Sequence, residues 1–392
     1  MPASMRGDES EGGVDVPIVW RGRRASAFVP TLLANRSLEV STATARRTAT
    51  AEASLAATAA SMPDDHEPLA RMLLRAEGVA SSFIEGVTAP IAEVLVAEFD
   101  HRRAGTPAGW VASNLAAVTD AVDRAHEAAL TVATLCDWQR AVVAGSPLPE
   151  RHVGVVRDEQ GWIGGTSPLD AALVTPPPER LPELLDDLVA FVNRNDVDSI
   201  AQTAIAHAQF EIIHPFADGN GRVGRVLVAW MLARRLALVT PPPVSIRLAA
   251  DRGGYLAGLT IYRLGQHEPW VRWFAEAVVG AGDAQRDLIQ AVDQLTRRWR
   301  EQLGAPHEGR AARADALAWR VLELMPRHLM LTAAVVASES GATTRAATSA
   351  LDDLVRRGIL VRYEPPGQRR PGRPPGLFVS PQLLGIASSQ PL

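Results

Sequence analysis

The residues best suited to chemistry lie together in one stretch, residues 214–225, which reads HPFADGNGRVGR. Gly219 and Gly221 flank Asn220, so the backbone there can curl and its N–H groups can converge on an anion. A helix is predicted to begin at the same point, and its positive N-terminal dipole would reinforce that attraction. The stretch therefore predicts a loop that binds a polyphosphate.

Four side chains of this stretch carry the charges and the proton acceptor that a transfer reaction needs. Arg222 and Arg225 lie three residues apart and would place two guanidinium groups on one side of the first helical turn. Asp218 lies among these cations, where a lone carboxylate makes sense chiefly as a ligand of Mg²⁺. His214 could take a proton from an incoming hydroxyl. Together they predict nucleotidyl or phosphoryl transfer without a lysine.

The composition excludes several other chemistries. All 40 basic residues among the 392 are arginine, so a P-loop lysine, a kinase-type lysine and a Schiff-base lysine are excluded. A net charge of −4 argues against a polycationic nucleic-acid binder. The single cysteine, Cys136, excludes an internal disulfide framework and fits a reducing compartment.

The stretch 214–225 resembles the signature of the Fic (Fido) family, H-x-F-x-[D/E]-G-N-G-R-x-x-R, at every specified position. The resemblance implies a protein adenylyltransferase, which transfers AMP from ATP to a Ser, Thr or Tyr hydroxyl of a target protein with Mg²⁺ as cofactor. It implies that His214 is the general base and that Asp218 holds the metal. The implied nucleotide-binding residues are Gly219, Asn220, Gly221, Arg222, Arg225 and Tyr255.

Two further segments extend the resemblance. Trp162, Ile163 and Gly164 resemble the family flap, a hairpin that aligns the target segment by strand addition. Tyr255, in a Tyr-x-x-x-Leu context, resembles the aromatic residue near the adenine, although Tyr262 could compete for that role.

A third segment resembles the family's inhibitory helix, with the pattern [S/T]-x-x-x-E-[G/N]. The matching residues are Ser81, Glu85 and Gly86, and they precede the catalytic stretch. A glutamate that reaches Arg225 would occupy the cation needed for the γ-phosphate. The resemblance therefore implies that Glu85 inhibits the enzyme from within its own chain.

The helical periodicity and the resemblance together predict a mainly α fold, an all-helical Fic core with a small β-hairpin flap. The hairpin is expected within residues 153–163, around a polar turn. We expect a disordered leader (residues 1–16), an N-terminal helical region with the inhibitory motif (17–100), the catalytic core (101–303), a linker (304–309) and a winged-helix domain (310–392). The polar leader lacks the apolar centre of a signal peptide, and no apolar run is long enough to span a membrane, so we expect a cytoplasmic protein.

The segment from residue 310 differs in charge, with 11 arginines and 6 acidic residues. Three predicted helices, two strands and a loop bearing Arg369, Arg370 and Arg373 are typical of a winged helix. Thr344, Arg345 and Thr348 would lie on an exposed face of its third helix, which leaves DNA binding and protein docking both open. Whether the chain forms a homodimer also stays open.

Three alternative functions stay open beside protein adenylylation. One is a DNA-binding regulator whose Fic-like core senses nucleotide, although a sensor would not need the base His214. Another is a kinase of the death-on-curing type, which is disfavoured because that branch has a lysine at the place of Gly221. The third is removal of AMP, with Glu85 positioning a water molecule.

Overall fold

A computed structural model describes residues 12–62, 67–306, 313, 316–365 and 376–388 of the chain. The described part is mainly helical, with small antiparallel strand pairs. The helices are α1 (Thr42–Ala60), α2 (Glu67–Ile84), α3 (Ile91–Phe99), α4 (Pro107–Asp123), α5 (Val132–Val142), α6 (Leu181–Val192), α7 (Ser199–Ile213), α8 (Asn220–Leu236), α9 (Val244–Ala250), α10 (Arg252–Arg263), α11 (His267–Gly304), α12 (Leu317–Leu324), α13 (Ala333–Ser340), α14 (Thr344–Arg356) and α15 (Pro381–Ser388). The strands are β1 (Gly13–Trp20), β2 (Arg23–Pro30), β3 (Trp162–Ile163), β4 (Leu173–Val174), β5 (Met330–Leu331), β6 (Val361–Tyr363) and β7 (Leu377–Val379).

Helices α7 and α8 form the centre of the larger hydrophobic core. Every residue of α7 after Ser199 is buried, so this helix has no solvent-facing side. Helix α8 is buried from Val223 to Ala233. A helix that is buried all round has neighbours on every side; α6 and α11 pack against α7, and α4 and α5 pack against α8. The loop between α7 and α8 is therefore anchored at both ends in buried helices.

The N-terminal segment corrects one expectation. The predicted leader covered residues 1–16, but strand β1 begins at Gly13 and pairs with β2 through Pro30; residues 1–11 lie outside the described part. One face of β1 is half-buried along alternate residues, Val14, Val16, Ile18 and Trp20. Arg21 and Gly22 form the two-residue turn with φ values of 47° and 78°, as tight hairpins require.

The flap hairpin also differs from the sequence prediction. Strand β3 pairs with β4 (Leu173–Val174), ten residues further on, and not with residues 153–156. Gly164 and Gly165 follow β3 with φ values of 69° and 70° and turn the chain into the intervening loop. Leu173 and Val174 shortly precede the three prolines at residues 176–178, so the partner of β3 lies outside the predicted hairpin.

The sequence predicts a break in the helical pattern at residues 85–87, and helix α2 ends there: its last residue is Ile84, and Glu85 and Gly86 form a turn. Gly86 has a φ of 76°, which favours glycine at the end of a helix. The short helices α9 and α15 were not predicted. Helix α9 is too short and too buried to show a helical period.

The C-terminal elements follow the order α12, β5, α13, α14, β6 and β7, with the three strands in one antiparallel sheet of order β5-β7-β6. Such an order fits a winged helix, which stays a prediction. Thr344, Arg345 and Thr348 are exposed on α14, whereas the arginines 369, 370 and 373 lie outside the described residues.

Of the predicted linker, the structure describes residues 304–306. Gly304 still belongs to α11, and residues 307–309 lie outside the described part. The second hydrophobic core includes Met72 of α2, Leu95 of α3 and Trp299 of α11 together with Leu331 and Phe378. The N-terminal helices and the C-terminal elements therefore share one core.

Candidate active site

The loop from residue 214 to 219 is fixed by its own backbone and by one asparagine. His214 ends α7 with left-handed backbone angles, φ 50° and ψ 60°, and its N–H donates to Phe210 O. The buried Asn220 side chain accepts from Phe216 N at 2.8 Å and donates to Phe216 O at 2.7 Å. Gly219, with a φ of 88°, begins α8, and a Cβ there would lie 2.9 Å from Val143. The Asn220 amide is thus a clamp on the loop.

His214 has the properties of a general base. Its Nδ1 lies 3.2 Å from Glu211 O, and because a carbonyl only accepts, Nδ1 carries the proton in this hydrogen bond. The proton acceptor is therefore Nε2. Burial lowers the pKa of His214 to about 4, since the cation loses its hydration. The imidazole is neutral near pH 7 and able to accept a proton.

A buried arginine that the sequence analysis did not assign supports this histidine. Arg157 Nε donates to His214 O at 2.8 Å, and its backbone N–H donates to Pro215 O. Its terminal nitrogens donate to Glu159 O, to Thr175 Oγ1 and to the carbonyl oxygen of residue 176. Burial lowers the pKa of Arg157 to about 10. Arg157 therefore ties the flap to the catalytic loop, and an arginine in a polar turn gave no signal of this in the sequence.

Arg225 is held by the end of α2. Its Nε donates to Ser81 Oγ at 2.9 Å, and its Nη2 donates to Ser81 O at 2.9 Å and to Glu85 Oε1 at 2.7 Å. Burial would raise the pKa of Glu85, but the charge and hydrogen bond of Arg225 outweigh it and lower that pKa. Burial would likewise lower the pKa of Arg225, and the Glu85 carboxylate reverses this. The two groups are therefore a charged pair.

The Glu85 carboxylate also lies over the start of α8. A Cβ placed on Gly221 would be 2.1 Å from Glu85 Oε1 and 3.0 Å from Arg225 Nη1. Only glycine leaves room for this carboxylate. An anion at this point faces both the guanidinium and the positive end of the helix dipole. The structure thus places Glu85 in the anion site that the sequence predicted.

A cavity of about 450 Å³ opens beside these residues. Residues from the inhibitory segment, the flap, the catalytic loop and α10 line it: Ile84, Glu85, Ile163, Ala172, Leu173, Glu211, Ile212, His214, Gly221, Arg225, Arg252, Tyr255, Leu256, Leu259, Thr260 and Arg263. The cavity therefore brings together the predicted base, one predicted phosphate-binding arginine and the predicted inhibitory glutamate. Its size suits a ligand of nucleotide dimensions.

Tyr255, not Tyr262, lines this cavity. The Tyr255 ring stacks near Trp273, and its hydroxyl lies 2.9 Å from Nε2 of the buried His207. Burial lowers the pKa of His207 to about 3, so it is neutral and accepts this hydrogen bond. Tyr262 is buried elsewhere, with its hydroxyl donating to Gln209 at 3.0 Å.

The buried Glu211 is a second carboxylate that the sequence analysis left without a role. Burial raises its pKa to about 7. Its Oε1 has no hydrogen-bond partner among the described residues, and a Cβ on Gly224 would lie 2.3 Å from it. It lines the cavity behind Arg225.

Asp218 and Arg222 lie beside the cavity and not in its wall. Arg222 Nη1 donates to Val142 O at 2.8 Å, and its Nη2 lies 3.5 Å from Asp218 Oδ2. The Asp218 side chain is half-exposed, and its backbone oxygen accepts from Gln139. No group of three or more His, Cys, Asp or Glu side chains suited to a metal occurs in the described ranges. One accessible carboxylate next to a phosphate site still fits Mg²⁺, which keeps most of its water and takes phosphate oxygens.

The predicted flap residues have separate contacts. Ile163 reaches the cavity, Trp162 packs edge-on against Trp20 with 5.3 Å between ring centroids, and Gly164 forms the turn.

In the part of the chain that the structure covers, no helix is both long and apolar enough to cross a membrane.

Comparison with known proteins gives a consistent result. The model of the Fic/DOC family matches residues 129–232. Protein adenylyltransferase fic-1 of Caenorhabditis elegans is 30% identical over 150 residues, which cover 38% of this chain and 27% of that protein. The probable protein adenylyltransferase aq_aa38 of Aquifex aeolicus (strain VF5) is 46% identical over 54 residues, 14% of this chain and 17% of that protein. The chain thus aligns with about a quarter or less of the length of these relatives.

The fold is similar to that of a solved structure over most of the chain. A Fic family protein from Desulfovibrio desulfuricans G20 superimposes with a TM-score of 0.52 and 19% identity, covering 88% of this chain and 97% of that one. The match supports the overall fold.

Proposed function

Since residues 129–232 form a Fic/DOC domain, we propose that this chain is a protein adenylyltransferase that transfers AMP from ATP to a Ser, Thr or Tyr hydroxyl of a target protein. The observation that carries the proposal is the shared cavity of His214, Gly221 and Arg225 at the start of α8. A neutral base, a helix N-terminus and a guanidinium then face one ligand.

The transfer step follows from these positions. The target hydroxyl oxygen attacks the α-phosphorus of ATP, and the bond from that phosphorus to the bridging oxygen breaks, so pyrophosphate leaves. The hydroxyl proton goes to Nε2 of His214, whose Nδ1 is already protonated towards Glu211 O. Arg225 and the N–H groups at the start of α8 stabilise the phosphate charge. Asp218 would hold Mg²⁺, which when bound neutralises charge on the phosphate oxygens.

The same geometry supports autoinhibition. Glu85 occupies the point over Gly221 and pairs with Arg225, so a phosphate and the carboxylate compete for one place. ATP could still enter, but its phosphates would be misaligned for attack. The parent chain should therefore be slow, and loss of the carboxylate should activate it.

The test uses purified protein with Mg²⁺ and ATP labelled at the α-phosphate. We expect label on protein, stronger in Glu85→Gly and absent in Glu85→Gly/His214→Ala. Label from γ-labelled ATP would instead indicate phosphoryl transfer. If Glu85→Gly labels neither itself nor proteins of a bacterial lysate with either ATP, the proposal is wrong.

Removal of AMP is a second candidate, because Glu85 and His214 line the same cavity and could position and activate a water molecule. Protein that Glu85→Gly has labelled would be repurified and given to the parent chain. Release of labelled AMP by the parent, and not by Glu85→Gly, would support this activity.

DNA binding by the C-terminal elements is favoured only by the exposed face of α14. Arg345 lies on that face near the helix start. If this face contacts DNA phosphates, Arg345→Glu should weaken duplex binding in a gel-shift assay and flatten its salt dependence.

A further inference from the structure

The N-terminal hairpin and the flap form one continuous surface. Trp20, the last residue of β1, packs edge-on against Trp162 of β3 with 5.3 Å between ring centroids. Strand β2 lies beside β4. We name the exposed tip of this hairpin, residues 20–24, the arginine tip. Its position beside the flap is decided by aromatic packing between segments 142 residues apart in the chain.

The arginine tip concentrates positive charge on an acidic protein. Arg21, Arg23 and Arg24 are all exposed, although the chain carries a net charge of −4. Arg21 lies over the Trp20 ring at 5.4 Å from its centroid. The register pairs Trp20 with Arg23, so both side chains lie on the same face of the hairpin. None of the three arginines pairs with a carboxylate among the described residues.

The flap connects this charge to the reaction. Trp162 contacts the tip, and the next residue, Ile163, lines the cavity that contains His214. A target segment lying along the flap would present its hydroxyl to the cavity and continue towards the tip.

We propose that the arginine tip binds acidic side chains of the target segment, at positions away from the modified hydroxyl. This inference rests on the proposed function, because it assumes that the flap carries the target. It assigns a class of target, a segment with Glu or Asp to one side of its Ser, Thr or Tyr. Exposed ion pairs are individually weak, so two of them should change affinity about three- to tenfold, and salt should reduce the effect.

The test measures peptide binding directly, so it needs no catalysis. Two fluorescein-labelled peptides have the same length, and each has a Thr at its centre. One peptide carries four Glu residues on either side of the Thr, and the other carries Gln at the same positions. Anisotropy titrations use Glu85→Gly in low and in physiological salt. We expect the Glu peptide to bind at least threefold more tightly in low salt, with a smaller difference at higher salt.

Three double variants identify the site. Arg23→Glu/Arg24→Glu should abolish the preference for the Glu peptide. Arg46→Glu/Arg298→Glu makes the same charge change at exposed arginines of α1 and α11 and should leave it unchanged. Arg23→Gln/Arg24→Gln removes the two positive charges without adding negative ones, so this variant should bind the Glu and Gln peptides equally. Equal binding of both peptides, or equal losses in tip and control variants, overturns the proposal.

Two further results separate this inference from its alternatives. A single-stranded RNA that binds more tightly than the Glu peptide through Arg23 and Arg24 would assign the tip to nucleic acid instead. Absence of α-label on any protein by Glu85→Gly would refute the adenylyltransferase proposal, whereas labelling with no peptide preference would refute the tip alone.

Discussion

Replacing Glu85 by glycine should raise the rate of AMP transfer about 5- to 30-fold. Glu85 Oε1 accepts from Arg225 Nη2 at 2.7 Å, with the guanidinium fully buried and 39% of the Glu85 side chain exposed. A hydrogen bond between charged partners contributes about 1.5–3 kcal/mol, and partial exposure reduces this to about 1–2 kcal/mol. In Glu85→Gly a phosphate no longer has to displace that contact. The free energy saved, about 1–2 kcal/mol, corresponds to the 5- to 30-fold increase in rate.

The assay is initial incorporation of α-label from ATP at saturating Mg²⁺, with nucleotide affinity measured separately. Glu85→Gln is the matched variant, because it keeps the side-chain shape and one acceptor oxygen but removes the charge. It should be activated less than Glu85→Gly. Ser81→Ala removes the bond to Arg225 Nε and leaves the carboxylate in place, so it should be activated least.

Two outcomes would refute the reasoning. The first is a rate of AMP transfer by Glu85→Gly that equals the parent rate, while His214→Ala still abolishes the labelling. The second is equal activation by Ser81→Ala, which would mean that the docking of α2, and not the charge over Gly221, limits the reaction.

Three other predictions concern the base, its support and the metal. Arg157→Met, introduced into Glu85→Gly, should lower the rate of transfer at least tenfold and change nucleotide affinity by no more than about twofold, because the His214 carbonyl loses a charged donor. Thr175→Val removes only one of the other hydrogen bonds of Arg157. An equal fall in that variant would contradict a role of Arg157 at His214. The pKa of His214 is lowered to about 4, so its base form persists in acid: the Glu85→Gly rate at pH 5.5 should stay within about twofold of that at pH 7.5, whereas an ordinary histidine would lose about tenfold. Loss of Glu85, a carboxylate that raises this pKa, works in the same direction. Asp218→Asn should raise the Mg²⁺ concentration for half-maximal transfer at least tenfold and leave metal-free nucleotide binding within about twofold, and equal Mg²⁺ curves would remove Asp218 from the metal site.

The local features of this protein are determined by its sequence. The sequence predicts a helix over residues 199–213 and a short apolar strand over residues 377–379, and α7 and β7 have these bounds. The stretch 214–225 also specifies its own geometry. Its glycines permit a φ of 88° at Gly219 and leave space above Gly221, and its asparagine clamps the loop. These properties depend on residues within a few positions of one another.

Tertiary structure decided which distant segments meet. The local pattern predicted that β3 pairs within residues 153–163, whereas its partner is β4, one of several short apolar pairs that follow it. The alternation of apolar and polar residues at Val14, Val16 and Ile18 was a signal for strand β1. The pairing of β1 with β2 depends on the turn at Arg21, and the position of the hairpin depends on the packing of Trp20 against Trp162. Arg157 reaches the carbonyl oxygen of His214 only because the flap folds back onto the catalytic loop. Helical and strand periods report which face of a segment is buried, whereas contacts between segments depend on the shapes and charges that all of them present together.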